Sequence, residues 1–123
     1  MELKSFENLA VWQQARKLVS AIYQMTLNDK IVRDFGLCSQ LQRAAVSIMS
    51  NIAEGFERIH LQEKIQFYNV ARASCGEVRS LLYVVEDSYP SLVQQATLLH
   101  KDAVSVGKLI TGLIQSTQRR KNN

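Results

Sequence analysis

The sequence predicts an all-α protein folded as an antiparallel up-down-up-down four-helix bundle. One proline and five glycines in 123 residues favour long helices over a turn-rich β fold. Apolar residues recur at alternating steps of three and four, the period of one helix face, in four separate segments. The connections between these segments are short, so neighbouring helices are expected to run in opposite directions.

The first two helices are separated by a polar loop. The first is predicted from about Glu7 to Thr26 with Asn8 as its N-cap, and the second follows the loop at 28–36 and ends near Gly55. Their inward stripes are Val11, Ala15, Leu18, Ile22 and Met25, then Leu41, Ala45, Ile48 and Ile52.

The last two helices are separated by Tyr89-Pro90. The third is predicted from about Leu61 to Asp87, and a capping box of Ser91 and Gln94 begins the fourth. Their stripes are Tyr68, Ala71, Cys75, Val78, Leu82 and Val85, then Leu92, Ala96, Leu99, Ala103, Val106, Ile110, Leu113 and Thr117. We therefore expect a single bundle domain over 1–118 and a basic, flexible C-terminal tail over 119–123.

A second apolar stripe on the first two helices predicts self-association. An outer helix of a lone bundle needs one apolar face of roughly 100°, yet these helices carry further apolar residues beside the core stripe. The candidate interface residues are Trp12, Val19 and Tyr23, and Val46, Met49, Ala53 and Phe56. The alternative is a broad core-facing surface within one chain.

The formal net charge of +4 and a pI near 9.3 indicate an anionic partner, and nucleic acid is the candidate. Residues 1–100 are balanced, with ten basic and ten acidic side chains, so the excess arises from Lys101 onward. The candidate contacts are Arg43, Arg58, Arg72, Arg79, Arg119, Arg120 and Lys121. The alternative is an ordinary solvated surface with a frayed end.

Two arrangements of charged residues follow from helix register. If the second and third helices fold back about residues 59–60, Arg43 faces Glu77, and we expect a structural ion pair between them. Arg72 and Arg79 are one heptad apart, and with the tyrosines at 68 and 83 they predict a basic-aromatic strip on the third helix.

Sequence motifs of enzymes are missing. There is no glycine-rich phosphate loop and no nucleophile motif, and Cys38 and Cys75 are predicted to be small buried side chains of a reducing compartment. Glu57 and His60 have a metal-ligand spacing, but they are expected to straddle a helix end. We predict no enzyme activity, metal, cofactor or small-molecule substrate, no membrane span, and a cytoplasmic location.

Several short strings extend over most of the chain and are typical of one family. They are Phe6–Leu9, Val11–Gln13, Phe35–Leu37, Gln40–Ala45, Ser47-Ile48, Asn51–Gly55, and Ala71 with Ser74 and Glu77. With these strings the chain resembles the small four-helix-bundle proteins encoded in intervening sequences of bacterial large-subunit ribosomal RNA genes. It is more distantly similar to the accessory proteins of diversity-generating retroelements.

The resemblance implies a four-helix bundle that assembles as a homopentamer and has no catalytic role. It also implies a basic surface that meets RNA or DNA, or a reverse transcriptase in the retroelement branch. The leading hypothesis is therefore an oligomeric bundle that binds nucleic acid without sequence specificity. The alternative is a protein-interaction scaffold, such as an accessory subunit for a reverse transcriptase.

Overall fold

The computed structural model describes residues 5–122, with side chains through residue 120. In this part of the chain there are four α-helices and no strand, so the all-α prediction is confirmed. The helices are α1 (Ala10–Thr26), α2 (Phe35–Glu57), α3 (Leu61–Ser88) and α4 (Val93–Asn122). Short 3-10 turns at Phe6–Asn8 and Pro90–Leu92 precede α1 and α4.

The four helices surround one core in the order of the sequence. Each helix packs against the next, α1 also packs against α4, and the backbones of the diagonal pairs do not approach each other closely within residues 5–122. The α1/α2 side of the bundle therefore lies opposite the α3/α4 side. No helix in the described range is both long and apolar enough to span a bilayer.

The contacts between α2 and α3 define their register. The Ser47 and Ser74 hydroxyls are hydrogen-bonded at 2.9 Å, and Gly55 lies directly against Tyr68. Successive positions along α2 therefore contact positions of progressively lower number in α3. Gly55 lies inside α2 and does not cap it, and a Cβ there would be 2.5 Å from Tyr68 Cε1.

The predicted inward stripes form the observed core. Every stripe residue predicted for α1, α2 and α3 is buried. In α4 the stripe is right at every position except Leu113, which is half-buried while Ile114 is buried in its place, and Thr117 at the end of the stripe is buried as predicted. The helical period of 3.6 is longer than the mean of alternating steps of three and four, so over a long helix one step of three becomes a step of four.

Two predicted helix starts are wrong. Asn8 lies in the 3-10 turn, where its Oδ1 accepts a hydrogen bond from the Ser5 hydroxyl at 3.0 Å, and Leu9 is the N-cap of α1. The capping box of Ser91 and Gln94 does not form, because Pro90 begins a 3-10 turn that carries the chain into α4. Local turns therefore replace side-chain caps at both positions.

At one end of the bundle, the Asp34 side chain caps α2 and also connects the loops that follow α1 and α3. Asp34 caps α2, accepting a hydrogen bond from the Leu37 backbone N–H at 3.3 Å. Its other carboxylate oxygen accepts a hydrogen bond from the Tyr89 hydroxyl at 2.7 Å. The pKa of Tyr89 is raised because that hydrogen bond holds its proton. The loops after α1 and α3 are thus connected through one carboxylate.

At the other end of the bundle, α4 extends beyond the expected domain boundary. The helix continues through Asn122, so the boundary predicted after residue 118 does not coincide with a helix end.

Candidate nucleic-acid interface

A basic groove runs along the outside of the bundle between α3 and α4. It encloses a hollow of about 380 Å³, and Arg72 and Arg79 from α3 and Lys108 from α4 provide its charge. The remaining lining residues are Cys75, Gly76, Ala103, Val104, Gly107 and Thr111. Since none of the lining residues is a carboxylate, the three positive charges are not neutralised within the groove.

Helix register brings these three cations together. Arg72 and Arg79 are seven residues apart, which places them on one face of α3, about 10.5 Å apart along the helix axis. The register of α4 against α3 sets Gly107 beside Cys75, since a Cβ on Gly107 would lie 3.9 Å from the Cys75 Cβ. Lys108 therefore enters the groove between the levels of the two arginines.

The groove has a neutral floor. Burial raises the pKa of the Cys75 thiol to about 12, and the positive charge of Arg79 opposes that rise. The thiol therefore stays protonated at neutral pH, and a protonated thiol is neither a nucleophile nor a metal ligand. Arg72 is positioned by a hydrogen bond that it donates to Asn69 Oδ1 at 3.1 Å. This arrangement suits anion binding and not covalent chemistry.

Arg58, a predicted contact, lies elsewhere and is already paired. It caps the C-terminus of α2 and forms ion pairs with Glu54 at 3.2 Å and with Glu63 at 4.0 Å. Its guanidinium also lies 4.6 Å from the centre of the Phe67 ring. Its charge is therefore locally balanced at the turn between α2 and α3.

The other predicted cations are also dispersed. Arg43 is exposed on α2, where it lines a separate hollow beside α1. Arg119 and Arg120 are exposed near the end of α4, and the charge of Arg120 contributes to lowering the pKa of Lys64, after the larger effect of burial. Of the seven candidates, the structure brings only Arg72 and Arg79 into one groove, and the Lys121 side chain lies outside the described residues.

The predicted ion pair between Arg43 and Glu77 does not form. Among the described residues the ion pairs are those of Arg58, and both Arg43 and Glu77 are exposed to solvent. The register given by the hydrogen bond between the Ser47 and Ser74 hydroxyls sets Arg43 within one residue of the level of Glu77, but Arg43 lines the hollow toward α1. Two solvated charges gain little from pairing.

The predicted basic-aromatic strip is half right. Tyr68 is 2% exposed and belongs to the core, where burial raises its pKa to about 12. Tyr83 is 53% exposed and packs on His100, with ring centroids 4.6 Å apart and the planes tilted by 60°. One aromatic side chain therefore remains available beside the arginines.

The predicted oligomer interface is divided between core and surface. Trp12 is 9% exposed and belongs to the core, where its ring packs against Phe6. Its Nε1 is buried and has no hydrogen-bond partner among the described residues. Tyr23 is 44% exposed. The half-buried candidates are Val19, Val46, Met49, Ala53 and Phe56. We refer to these five residues and Tyr23 as the apolar band.

The Glu57 and His60 spacing does not lie on one helix. Glu57 is the last residue of α2, and His60 precedes the first residue of α3. The helical geometry that would point both side chains at one metal is therefore not available to them.

The roles of Lys108, Gly76 and Gly107 in lining the groove were not identified from the sequence. Folding the third and fourth helices back about residue 91 would have placed Lys108 opposite positions 74–75, between Arg72 and Arg79. Gly76 and Gly107 were visible as glycines in the middle of helical segments, where this residue type is unfavourable.

Comparisons with known proteins identify the same kind of fold. A family model described as 23S rRNA-intervening sequence protein matches residues 7–112. A solved structure of a protein with unknown function from the S23 ribosomal protein family of Bacteroides thetaiotaomicron VPI-5482 matches with a TM-score of 0.78 and 20% identity, covering 85% of this chain and 98% of that chain. At this identity the match concerns the fold alone. The search of curated proteins found no match.

Proposed function

Since the chain belongs to the 23S rRNA-intervening sequence protein family, we propose that it is a non-catalytic helical-bundle protein that binds RNA or DNA without sequence specificity. The α3/α4 groove carries this proposal, because Arg72, Arg79 and Lys108 line it and no carboxylate does. Contacts with phosphates supply most of the affinity in non-specific binding. Such contacts position a nucleic acid without reading its bases.

We further propose that the chain is an antiparallel up-down-up-down bundle that assembles as a homopentamer through the apolar band. The opposed numbering of contacts between α2 and α3 supports the topology. The half-buried band supports self-association, because its apolar side chains lie beside the core stripe and are only partly covered within one chain. The number of copies is taken from the family resemblance. Repetition of a weak three-cation site around a ring would raise the affinity by avidity.

The location and domain limits are part of the proposal. A cytoplasmic location is supported by Cys38 and Cys75, which are buried free thiols of the kind found in reducing compartments. A single bundle domain over 1–118 is supported by the one continuous core. The basic segment at 119–123 would add contacts with phosphate at one end of the bundle.

The test is the salt dependence of binding to a generic RNA for the protein and a variant with a neutralised groove. The triple variant Arg72→Gln, Arg79→Gln, Lys108→Gln removes three phosphate contacts per chain. The slope of log affinity against log salt should therefore become shallower by about 2 for each protomer engaged. A matched control, Lys17→Gln, Lys30→Gln, Arg33→Gln, removes the same charge from exposed positions outside the groove.

The control separates a site from a general charge effect. The proposal fails if the two triple variants lose affinity equally, or if the unmodified protein does not bind at low salt. Deletion of residues 119–123 tests the tail in the same assay, and a loss of affinity at low salt is expected.

The assembly is tested by light scattering on the purified protein. A homopentamer of 14.0 kDa chains has a mass of about 70 kDa, whereas a 14.0 kDa species would contradict self-association. A mass equal to another multiple of the chain mass would support self-association and contradict the pentamer.

A protein-interaction scaffold is the second candidate. Leu27 at the end of α1 and Phe35 at the start of α2 are 67% and 77% exposed at one end of the bundle, and exposed apolar side chains of this size favour protein contacts. The absence of RNA binding at low salt, with an intact oligomer, would favour this candidate.

A further inference from the structure

An aromatic pair lies in line with the basic groove. Tyr83 follows Arg79 by four residues, and His100 precedes Val104 by four, so the pair lies one helical turn beyond the groove. The Tyr83 hydroxyl and His100 Nε2 are 3.3 Å apart, which holds the two rings together. Tyr83 is half exposed, and it therefore presents an aromatic surface at the end of a row of cations.

Glycines leave the groove open between the cations. A glycine inside a helix lowers stability by roughly 0.5–1 kcal/mol relative to alanine. A helical glycine that packing does not require therefore needs another explanation. A Cβ on Gly76 would meet no atom within 4 Å, and one on Gly107 would make only an ordinary contact with Cys75. Packing within the chain therefore does not require either glycine. Their effect is to let a ligand approach the helix backbones between Arg72 and Arg79.

We propose that the α3/α4 groove binds one strand of a single-stranded nucleic acid. Its phosphates contact Arg72, Lys108 and Arg79 in turn, and one of its unpaired bases stacks on Tyr83. This inference rests on the proposed function and narrows its ligand. Base stacking on an aromatic side chain is typical of single-strand binding and tolerates every base. A duplex keeps its bases stacked inside, so it would use the cations and leave Tyr83 without a role.

The first test compares three ligands by fluorescence anisotropy at one low salt concentration. They are a labelled mixed-sequence RNA strand of about 12 nucleotides, the DNA strand of the same sequence, and the RNA duplex with its complement. We expect both single strands to bind more tightly than the duplex. A difference between the RNA and DNA strands would identify a contact with the 2′-hydroxyl, while equal affinity would mean that the site accepts either single strand.

The second test changes the aromatic surface. Tyr83→Ala should weaken single-strand binding by about tenfold and leave duplex binding unchanged, because only unpaired bases stack on the ring. Tyr83→Phe keeps the ring and should retain the affinity of the unmodified protein. If Tyr83 instead acted through the contact between its hydroxyl and His100, Tyr83→Ala and Tyr83→Phe would lose single-strand affinity equally.

The third test fills the groove without changing its charge. Gly76→Leu places a side chain between Arg72 and Arg79, and because its Cβ would meet no atom within 4 Å, we expect the variant to fold and its strand binding to fall. Gly112→Leu is the control, because Gly112 is equally open but does not line the groove. Thermal unfolding checks that both variants are folded.

The outcomes separate this inference from the proposed function. If the unmodified protein binds neither strand nor duplex, both are wrong. If the duplex binds as tightly as the single strands, or if Tyr83→Ala and Gly76→Leu bind like the unmodified protein, the single-strand site is wrong. The proposed function then still stands on the salt dependence of the triple variant.

Discussion

Two of the outer grooves of the bundle, on opposite sides, differ in the chemistry of their lining. Between α1 and α2 the hollow is lined by Tyr23, Ser39, Gln42, Arg43, Val46 and Ser47, so only one residue carries a charge. Between α3 and α4 the hollow has three cations and two glycines. The α1/α2 side thus resembles a surface for protein contact, and the α3/α4 side resembles a surface for an anion.

The position of these grooves matters as much as their chemistry. Within residues 5–122 the helices surround the core in sequence order, with α1 beside α4, so the two grooves face away from each other. Copies of the chain that assemble through the apolar band would leave the basic groove free. Assembly and ligand binding would then reinforce each other through avidity and would not compete.

The largest expected effect comes from breaking the apolar band. The double variant Val46→Glu, Met49→Glu places two carboxylates in half-buried positions, where burial in an interface without a partner is costly. We expect light scattering to show the mass of one chain, and RNA affinity to fall about 100-fold as avidity is lost.

A control variant distinguishes the band from general surface effects. Leu98→Glu changes an apolar residue of α4 that is 62% exposed and outside the band, and it should leave the mass and the affinity unchanged. Retention of the oligomer in the Val46 and Met49 double variant would remove the band as the interface.

The second effect concerns the glycines, because a glycine that packing requires must behave differently from one that packing does not require. A Cβ on Gly55 would lie 2.5 Å from Tyr68 Cε1 and 3.1 Å from the Lys64 carbonyl oxygen. Gly55→Ala should therefore lower the free energy of unfolding by about 1–3 kcal/mol. Gly112→Ala, which meets no atom within 4 Å, should raise it by about 0.5–1 kcal/mol. Equilibrium denaturation with urea measures both, and equal changes would contradict this distinction.

The periodicity of the sequence was sufficient to predict which residues of α1, α2 and α3 face the core. All the inward stripes of α1, α2 and α3 are buried, because apolar residues at steps of three and four can face only one side of a helix. Helix starts were less predictable. Asn8 and Ser91 are residue types that favour N-caps, but the Ser5–Asn8 hydrogen bond and Pro90 produce 3-10 turns at these positions.

Of the three cations in the groove, the sequence predicted only the two that lie on the same helix. Arg72 and Arg79 share a face of α3 by spacing alone, and the structure places them in one groove. Lys108 joins them from α4, and that depends on the register between two helices, which spacing within one helix does not contain. The ion pair between Arg43 and Glu77 was wrong for a different reason. A fold-back gives the level of a residue along its helix but not the direction of its side chain, and Arg43 lines the hollow beside α1.

The smallest expected effect is the sharpest comparison of the two grooves, because it exchanges one arginine on each side. Arg79→Gln removes one of the three charges of the basic groove, and one lost phosphate contact should lower the affinity for single-stranded RNA about fivefold near 0.1 M salt. Arg43→Gln removes an exposed arginine from the α1/α2 hollow and has the same effect on net charge. Light scattering should first show that this variant keeps the oligomer, because Arg43 lines the hollow with Tyr23 and Val46 of the apolar band. Its affinity should then stay within about twofold of that of the unmodified protein, since long-range attraction is largely screened at this salt concentration. An equal loss in both variants would mean that net charge, and not the α3/α4 groove, determines binding.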